Sequence, residues 1–158
     1  MRLLIVRHAD AEPHTTPEAD PRRALTPKGV RKMHRVTAAL AALDLSLDRI
    51  ETSPWRRARE TAELMRPLLH GELVENPLLA KPPGARLVNG LSGHVVALVG
   101  HEPWLGELVG RLVCDPSGPL TPFPLRKGGV AWLEGEPRPG SMELVAFLPP
   151  RVLRRVEA

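Results

Sequence analysis

Leu3 to Val6 sets four apolar residues in succession and then runs straight into Arg7, His8 and Asp10. A run this short cannot be a helix, and a strand that is apolar on both faces needs a cover on both. Val95 to Val99, closed by Gly100, is a second such run. Between them the spacing changes to that of helices. Thr26 stands as an N-cap before Pro27, and Val30, Met33, Thr37 and Leu40 follow, which predicts a helix to about Leu43. Ser53-Pro54 repeats this cap-plus-proline start ahead of Ala58, Ala62, Met65 and Leu69. Pro103 opens a third helix with Leu105, Leu108, Val109 and Leu112 on one side. Asp48 to Thr52 reads as a strand, as does a brief stretch near Leu73, while Ala85 to Leu91 reads as a short helix inside a Pro- and Gly-rich segment. Gly129 to Leu133 and Met142 to Leu148 are two further strands, joined by a turn short enough for antiparallel pairing.

Strands alternating with helices predict an α/β fold: a mostly parallel central sheet, helices on both faces and an antiparallel edge from the last two strands. No repeat or linker interrupts the chain, and residues 1–158 are expected to form one domain. The net charge of +4 is too modest for a nucleic-acid footprint, and with aromatics at 3% there is little to stack bases on. Neither nucleic acid nor membrane is an expected partner. Cys114 is the single cysteine, so no intramolecular disulfide is available, and it forms no zinc spacing with the six histidines. Neither metal nor cofactor is expected. Leu3 to Val6 is too short for a signal-peptide core or a membrane span, so a soluble cytoplasmic protein is expected.

In open α/β sheets ligands bind in the crevice outside the carboxyl ends of the strands. Three of those ends are followed at once by cationic or imidazole residues: Arg7 and His8 after Val6, Arg56 and Arg57 past Thr52, and His101 after Gly100. Two of these loops also lead into helix amino termini, whose free N–H groups favour an anion. If the strands are parallel neighbours, the groups converge on a site suited to phosphate. One residue along a helix turns a side chain by ~100°, so only one of Arg56 and Arg57 can share the inward face with Ala58. His14, His34, His70 and His94 are expected on the surface, and Cys114 in packing.

These same residues carry a resemblance. "LLIVRHAD" resembles the Arg-His signature of the histidine phosphatase (phosphoglycerate mutase-like) superfamily, "TSPWRRARETA" its Ser-Pro-x-x-Arg-Ala-x-x-Thr-Ala motif, and "ALVGHEPWL" its second-histidine motif. "DPRRALTPKG" resembles a segment of the small SixA-type phosphohistidine phosphatases, and the likeness extends through "GGVAWLE" and "ELVAFLPP". The resemblance implies that His8 is a nucleophile that becomes transiently phosphorylated, that Arg57 is the arginine of the motif, and that Arg7, Arg57 and His101 hold the phosphoryl oxygens without a metal. That chemistry is physically apt, because phosphoryl transfer needs chiefly positioning and charge neutralisation, which arginine forks supply.

The larger members of the superfamily carry a long insertion with an acid before the second histidine, and this chain has no such insertion. Glu75 and Glu102 are the nearest candidates for the acid. An alkoxide, the conjugate base of a hydroxyl of pKa ~15.7, is a poor leaving group and needs a proton to depart as the alcohol, whereas an imidazole of pKa ~6.5 leaves phosphorus far more easily. The expected substrate is therefore phosphohistidine on a partner protein. The alternatives are a small phosphorylated molecule cleaved with Glu102 or Glu75 as acid, and a phosphate-recognition module without catalysis.

Overall fold

The structure, a computed structural model, describes residues 1–14 and 16–156. Its strands are β1 (Arg2–Arg7), β2 (Leu47–Thr52), β3 (Leu69–Glu75), β4 (Val95–Gly100), β5 (Val130–Gly135) and β6 (Met142–Leu148). Its α-helices are α1 (Pro27–Ala42), α2 (Arg56–Leu64), α3 (Ala85–Asn89), α4 (Trp104–Val113) and α5 (Pro150–Leu153). The strands form one sheet in the order β3-β2-β4-β1-β5-β6. The first four of these run parallel, while β5 is antiparallel to both β1 and β6. The α/β fold with an antiparallel edge is the one the alternation of periods predicts. No described helix is long and apolar enough to cross a membrane.

The unbroken apolar run of β1 has a direct physical reason. Successive side chains of a strand point to opposite faces, so Leu4 and Val6 enter one core while Leu3 and Ile5 enter the other, all of them fully buried. The first core is completed by Met33, Val36 and Leu40 of α1 with Ala58 and Ala62 of α2, and the second by Leu105, Leu108 and Leu112 of α4. Thr26 caps α1 as the sequence predicts, its hydroxyl accepting from Gly29 N–H at 3.0 Å. Gly29 itself admits no side chain, since a Cβ there would lie 2.1 Å from the Asp10 carbonyl oxygen. This close approach ties the start of α1 to the segment that leaves β1.

Several elements differ from the sequence expectation. Ser53-Pro54 does not start a helix: α2 begins at Arg56, because the Ser53 hydroxyl is turned toward His101 instead of capping. Met65 is buried just beyond the end of α2, and Leu69 opens β3 rather than continuing the helix. β3 runs the full seven residues as an edge strand, half-exposed along most of its length. The single-turn 3₁₀ helix Asp20–Arg22 and the four-residue α5 carry too few residues to show a period.

The register brings the functional loops together. Val6 pairs with Val99, which pairs in turn with Thr52, so β1, β2 and β4 end level with one another at one edge of the sheet. The antiparallel strands reach that same edge at Val130 and Leu148, the neighbours in register with Val6.

Candidate active site

His8, the residue after β1, is only 4% exposed. Its Nδ1 lies 2.7 Å from the carbonyl oxygen of Ala9, which can only accept, so Nδ1 carries the proton. Its Nε2 accepts from Arg57 Nε–H at 3.1 Å and must therefore present a lone pair. Both contacts specify the same neutral tautomer. Burial, reinforced by the charges of Arg57 and Arg7, lowers the pKa of His8 to about 3. Burial, not the neighbouring cations, is the larger cause.

The Ala9 peptide that fixes this tautomer is itself held. Its N–H donates to Thr61 Oγ at 3.1 Å, and the Thr61 hydroxyl donates to the Arg57 carbonyl at 2.7 Å. One turn of α2 thus braces the loop that carries His8.

Arg57 is buried, while Arg56 is exposed and pairs with Glu60 along the helix. Every nitrogen of the Arg57 fork is engaged: Nε with His8, Nη1 with the Asp20 carbonyl at 2.7 Å and Nη2 with the Asp20 carboxylate at 3.1 Å. Its guanidinium also lies 4.6 Å from the centre of the Trp55 ring, within cation–π range. Burial would raise the Asp20 carboxyl, but Arg57 and Arg23 outweigh it and hold the pKa below the ordinary value. Asp20 is thereby a fixed anion that aims the fork.

His101 follows β4 and is 2% exposed. Its ring centre is 5.2 Å from that of His8 and 4.4 Å from that of Trp55. Its Nε2 lies 2.7 Å from the Ser53 hydroxyl, which also accepts from Trp55 N–H at 3.3 Å. Burial, then the proximity of His8 and Arg57, lowers its pKa to about 3 as well. Arg7 donates through Nη1 to the Leu125 carbonyl at 2.7 Å. Among the described residues two buried side-chain nitrogens have no hydrogen-bond partner, and they are Arg7 Nε and His101 Nδ1. Buried polar atoms are paired in most proteins, so two orphans at one site mark a place for a polar ligand.

The two candidate acids differ. Glu102 is half-buried beside His101, and its carboxylate accepts from Leu125 N–H at 2.9 Å. Burial raises its pKa above the usual carboxylate value. Glu75, at the end of β3, is exposed and paired with Arg59 at 3.0 Å. Of the remaining histidines, His34, His70 and His94 are exposed, as is His14, whose ring stands 3.7 Å from Asp20.

Sequence reasoning assigned no part to Asp20, Ser53, Trp55 or Thr61. A signal was present, since all four lie inside the quoted stretches "DPRRALTPKG" and "TSPWRRARETA".

The low pKa values of the two rings have a direct consequence. In a ring-proton NMR titration in phosphate-free buffer, His8 and His101 remain neutral at pH 5, with midpoints well below the ordinary ~6.5. A midpoint near the ordinary value for His8 would contradict the buried neutral tautomer. The sign for stability follows: the unfolded chain takes up these protons first, so stability falls as pH drops from ~6.5 toward the folded-state values.

Residues 3–81 match the sequence profile of the histidine phosphatase superfamily, branch 1. An uncharacterised protein of Picosynechococcus sp. is 31% identical over 147 residues, covering 84% of each chain. Among solved structures, the protein histidine phosphatase SixA complexed with tungstate superposes with a TM-score of 0.78 at 24% identity, covering 96% of this chain and 98% of its own. The α-ribazole phosphatase of Shigella flexneri gives 0.70 at 16% identity, with 95% and 97% covered. The phosphoserine phosphatase of Entamoeba histolytica, in complex with 3-phosphoglyceric acid, gives 0.68 at 17%, with 96% and 98% covered. At these identities the structural likeness is one of fold, and the profile match supplies the lineage: the chain belongs to the histidine phosphatase superfamily.

Proposed function

We propose that this protein is a phosphatase that works through a covalent phosphohistidine on His8 and takes phosphohistidine of a partner protein as its substrate. The observation that carries the reading is the locked tautomer of His8. A ring with Nδ1 protonated, Nε2 carrying its lone pair and a pKa of about 3 is a neutral nucleophile at physiological pH. Around it stand Arg7 and His101, whose unpartnered Nε and Nδ1 suit the oxygens of a phosphoryl group, and Arg57, whose Nε–H already points at the attacking nitrogen. That the SixA neighbour binds tungstate, a tetrahedral oxyanion, supports an anion site on this fold.

In the proposed reaction Nε2 of His8 attacks phosphorus in line, the bond to the donor imidazole breaks, and that imidazole departs as a neutral ring when its distal nitrogen is protonated. Water then attacks the phosphoenzyme, the bond from His8 to phosphorus breaks, and inorganic phosphate leaves. Arg7 and Arg57 neutralise charge on the equatorial oxygens throughout, while the neutral His101 offers its ring nitrogen as a hydrogen-bonding partner.

A second reading, hydrolysis of a small phosphate ester, is favoured by one observation, the raised pKa of Glu102 next to His101. The discriminating experiment compares Glu102→Gln with the wild type on a phosphohistidine protein and on a panel of phosphate esters. Under the favoured reading, turnover of the phosphohistidine protein stays within about 3-fold and exceeds that of every ester, because imidazole needs no strong acid. Better turnover of an ester by the wild type, abolished in the variant, would establish the second reading instead.

A further inference from the structure

The positive charge near the site is distributed unevenly. On the β3 side, Arg56 is paired with Glu60 and Arg59 with Glu75. On the opposite side, a groove of about 440 Å³ is lined by Lys32, Arg126, Lys127, Arg151 and Arg154, with no carboxylate among its lining residues. Among the described residues only Lys32 of these five has an acidic partner, Asp10 at 2.6 Å. Arg126, Lys127 and Arg151 are exposed. Four of the five cations around this groove thus have no acidic partner among the described residues, so unpaired positive charge is gathered here.

One wall of the groove adjoins the site. Gly128 N–H donates to the carbonyls of both Arg7 and His8, at 3.0 and 3.2 Å, so the Arg126–Lys127 segment abuts the nucleophile loop directly. Val130 and Leu148 are in register with Val6, which puts Phe147 and the Arg151 turn on the same edge of the sheet. Phe147 contributes an exposed apolar floor, 38% accessible, beside the cations. A phosphoryl group seated at His8 is served by Arg7, Arg57 and His101 and leaves Arg126, Lys127, Arg151 and Arg154 without a counter-charge among the described residues. An extended ligand that presents carboxylates some distance from its phosphoryl group would use them. Mixed apolar and cationic lining suits the acidic face of a protein better than a small phosphorylated metabolite.

From this we infer that the groove docks an acidic surface of the partner protein, next to the histidine that bears the phosphoryl group. The inference rests on the proposed phosphohistidine activity and deepens it. The docking charges act before chemistry: they raise the encounter rate and orient the partner, and the protein needs them only for a macromolecular substrate.

The test compares the wild type with Arg126→Glu/Arg151→Glu on two substrates: an acidic phosphotransfer domain phosphorylated on histidine, and free phosphohistidine. The expected result is a kcat/KM on the domain lowered at least ~10-fold and no longer falling with added salt, while free phosphohistidine is turned over within ~2-fold of wild type. The small substrate also reports that the variant is folded. Equal turnover of the domain by both enzymes would overturn the docking role and leave the phosphohistidine reading standing. A wild type that acts on neither substrate would overturn that reading and the inference with it. Tighter binding of a short RNA than of the acidic domain would reassign the groove to nucleic acid.

Discussion

Replacing His8 with alanine lowers turnover by about four orders of magnitude or more, since no other group can form the covalent intermediate. The size of the effect follows from the geometry. His8 is the residue to which Arg57 and Ala9 both bond, and its Nε2 is held unprotonated, with a lone pair that the Arg57 Nε–H occupies until phosphorus takes its place. His101, 5.2 Å away ring to ring, has its Nε2 engaged with Ser53 and cannot substitute without losing that contact. Binding of inorganic phosphate survives in this variant, because Arg7, Arg57 and His101 remain. Phosphate titration followed by ³¹P NMR, alongside single-turnover kinetics, measures both. Residual turnover within 100-fold of wild type would mean that water, not His8, attacks phosphorus.

Arg57→Ala has the second largest effect, about 2–4 kcal/mol of lost transition-state stabilisation, or a fall of roughly 30- to 1,000-fold in kcat/KM. Unlike the change at His8, it removes binding and catalysis together. The arginine contacts the nucleophile, stacks on Trp55 and bonds Asp20 twice, so its loss also leaves the Asp20 carboxylate with Arg23 as its main partner. Lysine at position 57 restores little, since one ammonium cannot reproduce three directed contacts. Asp20→Asn separates charge from geometry. The Asp20 carbonyl still accepts from Nη1, so the loss is smaller, about 3- to 10-fold, and falls mainly on kcat. Measured kcat and KM for the two variants check this order; a greater loss in Asp20→Asn than in Arg57→Ala would contradict it.

How far the molecule could be read from its residues depended on the range of the interaction. The strands β1 and β4 were legible because burial on both faces writes itself as an unbroken apolar run, and α1 and α4 because one buried face writes a helical period. β3 was only glimpsed: His70, Gly71 and Glu72 are exposed on an edge strand and dilute the pattern. The start of α2 was placed too early because Ser53-Pro54 looks like a cap, and only the fold shows that a histidine 48 residues away takes the hydroxyl. The same limit applied to the site. Arg7, His8 and His101 could be singled out because each stands at a strand end, a rule that needs no knowledge of contacts, whereas that rule left Arg56 and Arg57 equal and only the motif resemblance chose Arg57. Asp20 was passed over although it opens the motif-like stretch "DPRRALTPKG", because its importance lies in a bond to Arg57, 37 residues later, made from a short turn in a proline-rich loop. The tautomer of His8 was equally out of reach, since it depends on where the Ala9 carbonyl points.

Trapping the intermediate tests the central claim most directly. The protein is mixed with a phosphohistidine donor, quenched in alkali within one turnover, and mapped by mass spectrometry, with ³¹P NMR to identify the nitrogen. The account predicts an acid-labile phosphoryl group on Nε2 of His8, approaching about one per chain in the burst, and none in His8→Ala. Phosphate released with no labelled His8, or a label found on His101 instead, would contradict it.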